Sequence, residues 1–508
     1  MLLKQLNYIH KSNWKRHFSI SRYVSKDIFK VAVVGSGPAG FYTAHHLLNK
    51  APLSMSLNID ILDRLPAPYG LSRYGVAPDH PEVKKCEEYL NDIMKNFSES
   101  ERHRVRFFGN VEVGKDISMD ALEQKYHSIV LSYGCTTADK TLNIPGADLP
   151  GVISARQFVS WYNGHPDSYR KGSQFIPPNL DKVEDVTIIG NGNVALDVAR
   201  VLLGDVNKHW SSTDMTSAAI TMLKKSKVKN VNIVARRGFL ESAFTNKEIR
   251  ELFELSKNQS IRCTPLEPDV LNDIDVSSLG RVDKRRYSII EKYATESKDE
   301  EYTKRKWSLQ YLKSPQEFII NQSDNNLLDS TIFRTNELVQ DTLTKAVKVK
   351  PTKNLIKIKN ELVILSIGYK GSSLSGFDNV DVLFENNRVV NKGGRVLSRK
   401  SIGRDETNAI FKEGWYTSGW IKTGPKGVIA TTMMDSFDTA EKILEDLSNR
   451  IHLRPQSCDG ILLSLKEPTI SWDAWKKINT TELENGKKLG KSREKICDVE
   501  EMITISCK

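Results

Sequence analysis

The chain's 508 residues leave room for two or three domains of ~100–200 residues each, and none of its apolar runs reaches the ~18 residues of a membrane-spanning helix. Its net charge of +11 is concentrated at one end: residues 1–30 carry seven Lys or Arg against one acid, Asp27. The body is therefore only mildly basic, which fits an acidic protein partner and argues against nucleic-acid binding. Six scattered cysteines (Cys86, Cys135, Cys263, Cys458, Cys497, Cys507) form no Cys-x-x-Cys. That spacing argues against a disulfide framework, a zinc ribbon, a four-cysteine cluster and the internal dithiol of a disulfide reductase.

The first residues mix Leu2, Leu3, Leu6, Tyr8 and Ile9 with spaced cations and no acid until Asp27. This composition predicts an organelle transit peptide rather than a secretory signal, cut near Arg22–Tyr23, with the fold beginning near Ile28. A short apolar strand, 29–34, then runs into Gly35-Ser-Gly37-Pro38-Ala39-Gly40 and a helix to about Lys50. Gly35 suits the tight turn, Gly37 the approach of a pyrophosphate and Gly40 close helix–strand packing. A second strand, 57–62, ends at Asp63, near the ~20-residue spacing of a ribose-binding acid. An acid there suits the unphosphorylated adenosine of FAD.

Residues 66–81 are too rich in Pro and Gly for a helix, yet too aromatic for a linker, and are expected to form a long functional loop. A helix is predicted from about Glu82 to Phe97, then strands over 105–114 and 128–135. Residues 161–166 read as an aromatic turn opening a central unit.

That unit carries the second glycine fingerprint. The strand from Val186 runs into Gly190-Asn191-Gly192-Asn193-Val194-Ala195, and a helix is predicted through Leu203. A pyrophosphate can then sit on free N–H groups at the helix N-terminus. The next strand ends in Arg236-Arg237, 41 positions after Ala195, where an NAD site would carry an acid. A guanidinium pair suits a 2′-phosphate, so the expected ligand is NADP.

Residues 256–353 are polar and irregular, and give no topology. Order returns with a buried strand over 362–369, another at 415–420, and a glycine loop from Gly424 that opens a helix. That helix N-terminus is placed to meet the flavin ring and stabilise negative charge on its reduced form. The last fifty residues read as a basic, partly ordered extension.

These motifs resemble the mitochondrial ferredoxin–NADP reductase family, adrenodoxin reductase and its fungal relatives. The resemblance rests on the stretches 33–44, 74–84, 191–200, Ala235-Arg-Arg-Gly238, 243–251, Ile367-Gly-Tyr369, Gly419-Trp-Ile-Lys422 and 424–433. Ser471-Trp-Asp-Ala-Trp475 and Arg493-Glu-Lys495 extend it into the tail.

It implies an α/β fold with two Rossmann-like dinucleotide-binding domains of the glutathione-reductase type. A leader (1–27) would precede an FAD domain built from 28–137 and 367–508, with an NADP domain (138–366) inserted. The resemblance places Gly35, Gly37, Pro38, Ala39, Gly40, Asp63, Leu71 and Val113 on FAD, together with Trp420, Gly427, Val428 and Ile429. Gly190 to Ala195 would hold the NADP pyrophosphate, Arg236 and Arg237 the 2′-phosphate and Glu248 the ribose side, with Gly427 also reaching NADP. Asp79, His80 and Asp197 are polar groups expected near the nicotinamide; His80 either handles a proton or makes a structural hydrogen bond. Two departures stand out: Asp63 where many relatives have Glu, and Asn191 in place of the more usual Gln.

Arg281, Lys284, Arg285 and Arg286 resemble the basic cluster that docks an acidic [2Fe–2S] ferredoxin, through a salt-sensitive, transient contact. No metal site, no nucleic acid and at most peripheral membrane contact are expected, in the mitochondrion on the matrix side. The implied reaction is hydride transfer from NADPH to FAD, then single-electron transfers to ferredoxin supporting iron–sulfur cluster, haem A or sterol-type biosynthesis. The alternatives are an NADPH-dependent flavin monooxygenase or other flavin reductase acting on a small molecule, and a non-catalytic nucleotide-binding scaffold.

Overall fold

The computed structural model describes residues 27–507 apart from 99, 136–137, 259–261, 265–270, 272–273, 297–304, 326, 341–345, 404–407 and 456–467. Residues 1–26 of the expected leader and Cys458 lie outside the described residues, and Asp27, the last residue assigned to that leader, already belongs to the first strand.

In the first half of the chain, β1 (Asp27–Val34) leads to α1 (Pro38–Lys50), whose proline sits where a helix has no N–H to lose. There follow β2 (Met55–Leu62), α2 (Cys86–Phe97), β3 (Arg104–Phe108) and β4 (Ser128–Leu131). Their apolar runs are buried almost end to end, as parallel strands covered on both faces require. Then come β5 (Val152–Ser154), α3 (Ala155–Tyr162), β6 (Asp185–Ile189), α4 (Asn193–Leu203), β7 (Asn230–Val234), α5 (Asn246–Asn258), β8 (Arg262–Thr264) and α6 (Arg281–Glu296).

The chain continues with β9 (Lys306–Gln310), β10 (Lys313–Ile320), β11 (Leu328–Gln340), β12 (Val347–Lys359) and β13 (Leu362–Leu365). It ends with β14 (Asn391–Lys392), β15 (Arg395–Leu397), β16 (Phe411–Thr417), α7 (Ile429–Ser448), α8 (Trp472–Lys488) and α9 (Val499–Ser506).

Two separate sheets result. One has the order β14-β15-β16-β4-β1-β2-β3 and the other β5-β13-β6-β7-β9-β8, the second parallel throughout. Each reverses its strand order beside a glycine-terminated strand, at β1/β4 and β6/β13, and ligands of such sheets bind in that crevice. The geometry repeats in detail. A Cβ on Gly35 would lie 2.6 Å from Cα of Tyr133, just past β4, and one on Gly190 would strike the backbone of Ser366, just past β13. Both glycines have positive φ, +106° and +116°. β10, β11 and β12 form a third, antiparallel sheet.

Several sequence expectations are corrected. The Pro/Gly loop holds one helical turn, Leu71–Tyr74, entered through Gly70 at φ +51°. The helix expected from Glu82 is interrupted at Lys85, between Pro81–Lys84 and α2. The strand expected over 105–114 ends at Phe108, because Gly109 turns to pair with Ile470. Trp161 and Tyr162 end α3, where both rings are buried, and the turn begins only at Asn163. The unreadable stretch after Ser256 contains α6, β9 and the antiparallel sheet. The tail is firmly built: α8 packs Trp475 and Ile478 into the core beside β1 and β2.

Candidate active site

At the first crevice, α1 starts from Gly37 with no side-chain cap, so its first-turn N–H groups are open to an anion. A Cβ on Gly37 would meet only the Cα of Gly70, at 3.9 Å, among the described residues. This is an open cradle beside uncapped helix N–H groups. Asp63 faces it but is tied to its own chain. Oδ2 accepts from Ser36 N (2.8 Å) and Ser36 Oγ (2.6 Å), and Oδ1 accepts from Leu65 N (2.9 Å). A carboxylate offers about four acceptor positions, so about one remains for a ribose hydroxyl. Asp63 therefore also fixes the glycine loop.

Leu71 and Trp420 are half-buried, and Val113 lies in the core. Gly427 (φ +85°), Val428 and Ile429 open α7, which has no charged or polar side chain at its N-cap. Gly419 at the end of β16 donates its N–H to Asp435 Oδ2 at 2.8 Å, and Lys422 pairs with Asp435 at 2.7 Å, bracing this helix start.

At the second crevice, α4 also begins without a side-chain cap, and a Cβ on Gly192 would touch nothing within 4 Å among the described residues. The Asn193 Oδ1 accepts from Thr245 N at 2.8 Å, so that side chain holds the segment before α5, while Asn191 Nδ2 donates to Ser242 Oγ at 3.3 Å. Arg236 and Arg237 are exposed at the end of β7, and Asn336 Nδ2 holds the Arg236 carbonyl at 2.9 Å.

Between the crevices, the 66–81 loop from the first sheet meets α4 and α5 of the second. His80 Nε2 lies 2.8 Å from Arg200 Nη2, 3.2 Å from Glu251 and 3.7 Å from Glu248. Arg200 also reaches Asp197 at 2.8 Å and Asp79 and Glu251 at 3.1–3.2 Å. The buried Arg200 guanidinium is thus a hub joining Asp79 and His80 from one sheet to Asp197 and Glu251 from the other.

Burial works against a charged His80, but its bonds to Glu251 and Glu82 and the charge of Asp79 outweigh burial and Arg200, pushing it up to about 9. Burial, helped by the charges of Asp197 and Glu251, pushes Glu248 up to about 7. The Glu248 Oε2 and the buried hydroxyl of Tyr162 have no hydrogen-bond partner among the described residues. A half-buried acid with an unmet, buried oxygen beside a cationic imidazole can hold or release a proton near neutral pH. Glu248, expected on the ribose side, lies in this cluster.

Of the expected docking residues, Arg281, Lys284 and Arg285 are exposed on α6. Arg286 is a correction: it is 8% exposed, stacks 5.6 Å from the Phe244 ring and bonds Asp283, so it packs the helix instead. Sequence reasoning gave no role to Arg200 or Glu251. Their signal was a charge three residues beyond an expected site residue, Asp197 and Glu248 respectively, and so on the same helical face.

Comparison with known proteins places the chain among relatives. Residues 29–264 match the pyridine nucleotide-disulphide oxidoreductase family. The probable mitochondrial NADPH:adrenodoxin oxidoreductase of Saccharomyces cerevisiae is 40% identical, over 95% of this chain and 97% of its own. The human mitochondrial NADPH:adrenodoxin oxidoreductase is 38% identical, over 94% and 91%. The solved structure of Mycobacterium tuberculosis FprA in complex with NADPH superposes with a TM-score of 0.81 at 32% identity, covering 95% of this chain and all of that one.

Proposed function

This chain belongs to the mitochondrial NADPH:adrenodoxin oxidoreductase family, and we propose from that premise which of its residues carry the reaction. It is an FAD-dependent oxidoreductase of the mitochondrion that draws electrons from NADPH for an adrenodoxin-type ferredoxin. Bound FAD supplies a hydride acceptor that can pass electrons on singly.

The chain supplies the rest. The open N-terminus of α1 and the loop around Gly37 and Gly70 take the FAD pyrophosphate, and the start of α7 at Gly427–Ile429 faces the flavin ring. The loop at Gly190–Ala195 takes the NADP pyrophosphate, and Arg236 with Arg237 takes the 2′-phosphate. Arg200 and Glu251 hold Asp79 and His80 against Asp197, closing the space between the nucleotides to water. Glu248 and His80 handle the proton. Arg281, Lys284 and Arg285 attract the acidic partner, on the matrix side of the inner membrane.

One observation carries this reading: two open glycine cradles at the switch points of two sheets, with one polar cluster spanning the space between them. Anaerobic mixing of the FAD-loaded protein with NADPH tests it. Loss of the flavin's visible absorbance, recovered on adding oxidised ferredoxin, is expected; absorbance indifferent to NADPH would contradict it.

A further inference from the structure

The segment after α8 ties the two sheets together by one pattern used twice. Glu482, fully buried, accepts Arg73 Nη2 at 2.5 Å and Arg493 Nη1 at 2.7 Å, and also Ile496 N at 3.0 Å. Asp214, from the segment leading into the second-sheet core at Met215, pairs with Lys84 at 2.7 Å and Lys495 at 2.8 Å. In each case one acid bridges a cation of the loop region (Arg73, Lys84) and a cation of the tail (Arg493, Lys495).

Backbone contacts reinforce the crossing. Ser492 N donates to Ser212 O at 2.9 Å, Lys491 Nζ to Met215 O at 2.5 Å, and Ser217 N to Glu494 Oε1 at 3.1 Å. The return path is tight: a Cβ on Gly486 would lie 2.6 Å from Cα of Arg493.

Arg73 and Lys84 bracket Asp79 and His80. The two anchors therefore clamp both ends of the segment that reaches across to Arg200, one from the first sheet through α8 and one from the second through Asp214. Apolar packing would resist separation of the lobes but tolerate sliding, whereas charge-assisted hydrogen bonds at both ends fix register.

We propose that residues 482–497 act as a strap whose Arg493 and Lys495 are positioning residues for hydride transfer, holding the Asp79–His80 loop and the two nucleotide sites in register. This rests on the reductase reading above. The hydrogen bonds and ion pairs described for the strap reach the loop and the segment around Asp214 and not the glycines of either cradle, so it would act through geometry and not through affinity.

The test is single-turnover flavin reduction in the full-length, FAD-loaded protein carrying Arg493→Met or Lys495→Met. Each change removes only the strap cation and leaves the acid paired with its loop partner. At saturating NADPH the reduction rate is expected to fall about tenfold in each, since a displacement of ~1 Å can cost ~100-fold. FAD content and the Kd for NADPH should stay within about twofold of wild type. Arg493 is the more exposed of the two, so its variant serves if Lys495→Met does not fold.

Rates unchanged in the folded variants would overturn the proposal. So would a rate loss matched by an equal loss of FAD or NADPH binding, which marks a merely structural role. Wild-type flavin that NADPH failed to reduce would instead contradict the reductase reading itself.

Discussion

Arg236 is the residue on which the choice of nicotinamide cofactor turns. It is exposed at a strand end, its backbone held by Asn336, with its side chain accessible to a dianion. A hydrogen bond to a charged group contributes about 1.5–3 kcal/mol, so Arg236→Ala should raise the KM for NADPH about tenfold or more and leave NADH nearly unchanged. Steady-state kinetics with both cofactors checks this, and equal effects would contradict the 2′-phosphate assignment.

His80 makes a prediction about pH. Its ordinary value of 6.5 is raised to about 9 in the fold. A raised cation stabilises fully below the unfolded value and loses that contribution as pH climbs through the folded one. Stability of the wild type should therefore fall between about pH 6.5 and pH 9 relative to His80→Gln. Denaturant midpoints of the two proteins across that range test this, and parallel curves would show that the imidazole is not held charged. At this scale the sequence was partly legible. Asp79, His80 and Asp197 were identified together, but not the arginine that gathers them, because an Arg three residues after an Asp on one helix reads as an ordinary surface ion pair until its partners from the other sheet are seen. Arg286 failed in the opposite direction: adjacent basic residues on a helix look alike in sequence, yet 286 falls on the face turned toward Phe244.

Among the elements, the glycine loops separate two demands that the fingerprint merges. Gly190 is required by the fold itself, through its φ of +116° and the backbone of Ser366. Gly190→Ala should lower stability by more than about 1 kcal/mol. Gly192 has φ −90° and open space above it, so Gly192→Ala should leave the Tm unchanged or slightly raised. The same change would fill the cradle and should raise the KM for NADPH by about tenfold or more. Thermal melts and cofactor kinetics on the two variants check the distinction, and an unchanged KM in Gly192→Ala would mean that the pyrophosphate lies elsewhere.

Strands and helices flanking these loops were readable because parallel strands buried on both faces are continuous apolar runs. The antiparallel β10–β12 sheet was not, because β12 is exposed along most of its length and its alternation of Val or Ile with Lys is broken by Pro351-Thr-Lys-Asn354, a turn-like stretch. The tail helices were missed for a related reason: α8 buries only a few residues, among them Trp475, Ile478 and Glu482, in a mostly polar sequence.

For the whole molecule, the docking proposal makes a prediction about charge. The exposed Arg281, Lys284 and Arg285 lie on α6 of the second lobe, and charge reversal there, such as Arg285→Glu, should weaken ferredoxin capture without slowing flavin reduction by NADPH. The strap that registers the two lobes could not be placed from sequence, because it depends on contacts between segments hundreds of residues apart, as in the pairing of Arg73 with Glu482.

The central claim is that electrons from NADPH leave this protein for a ferredoxin. Cytochrome c reduction by the purified, FAD-loaded protein with NADPH, with and without a mitochondrial [2Fe–2S] ferredoxin, at low and high salt, tests it most directly. Strong dependence on ferredoxin that fades as salt rises is the predicted result. Reduction indifferent to ferredoxin at every salt concentration would contradict the account and turn the search toward a small-molecule acceptor.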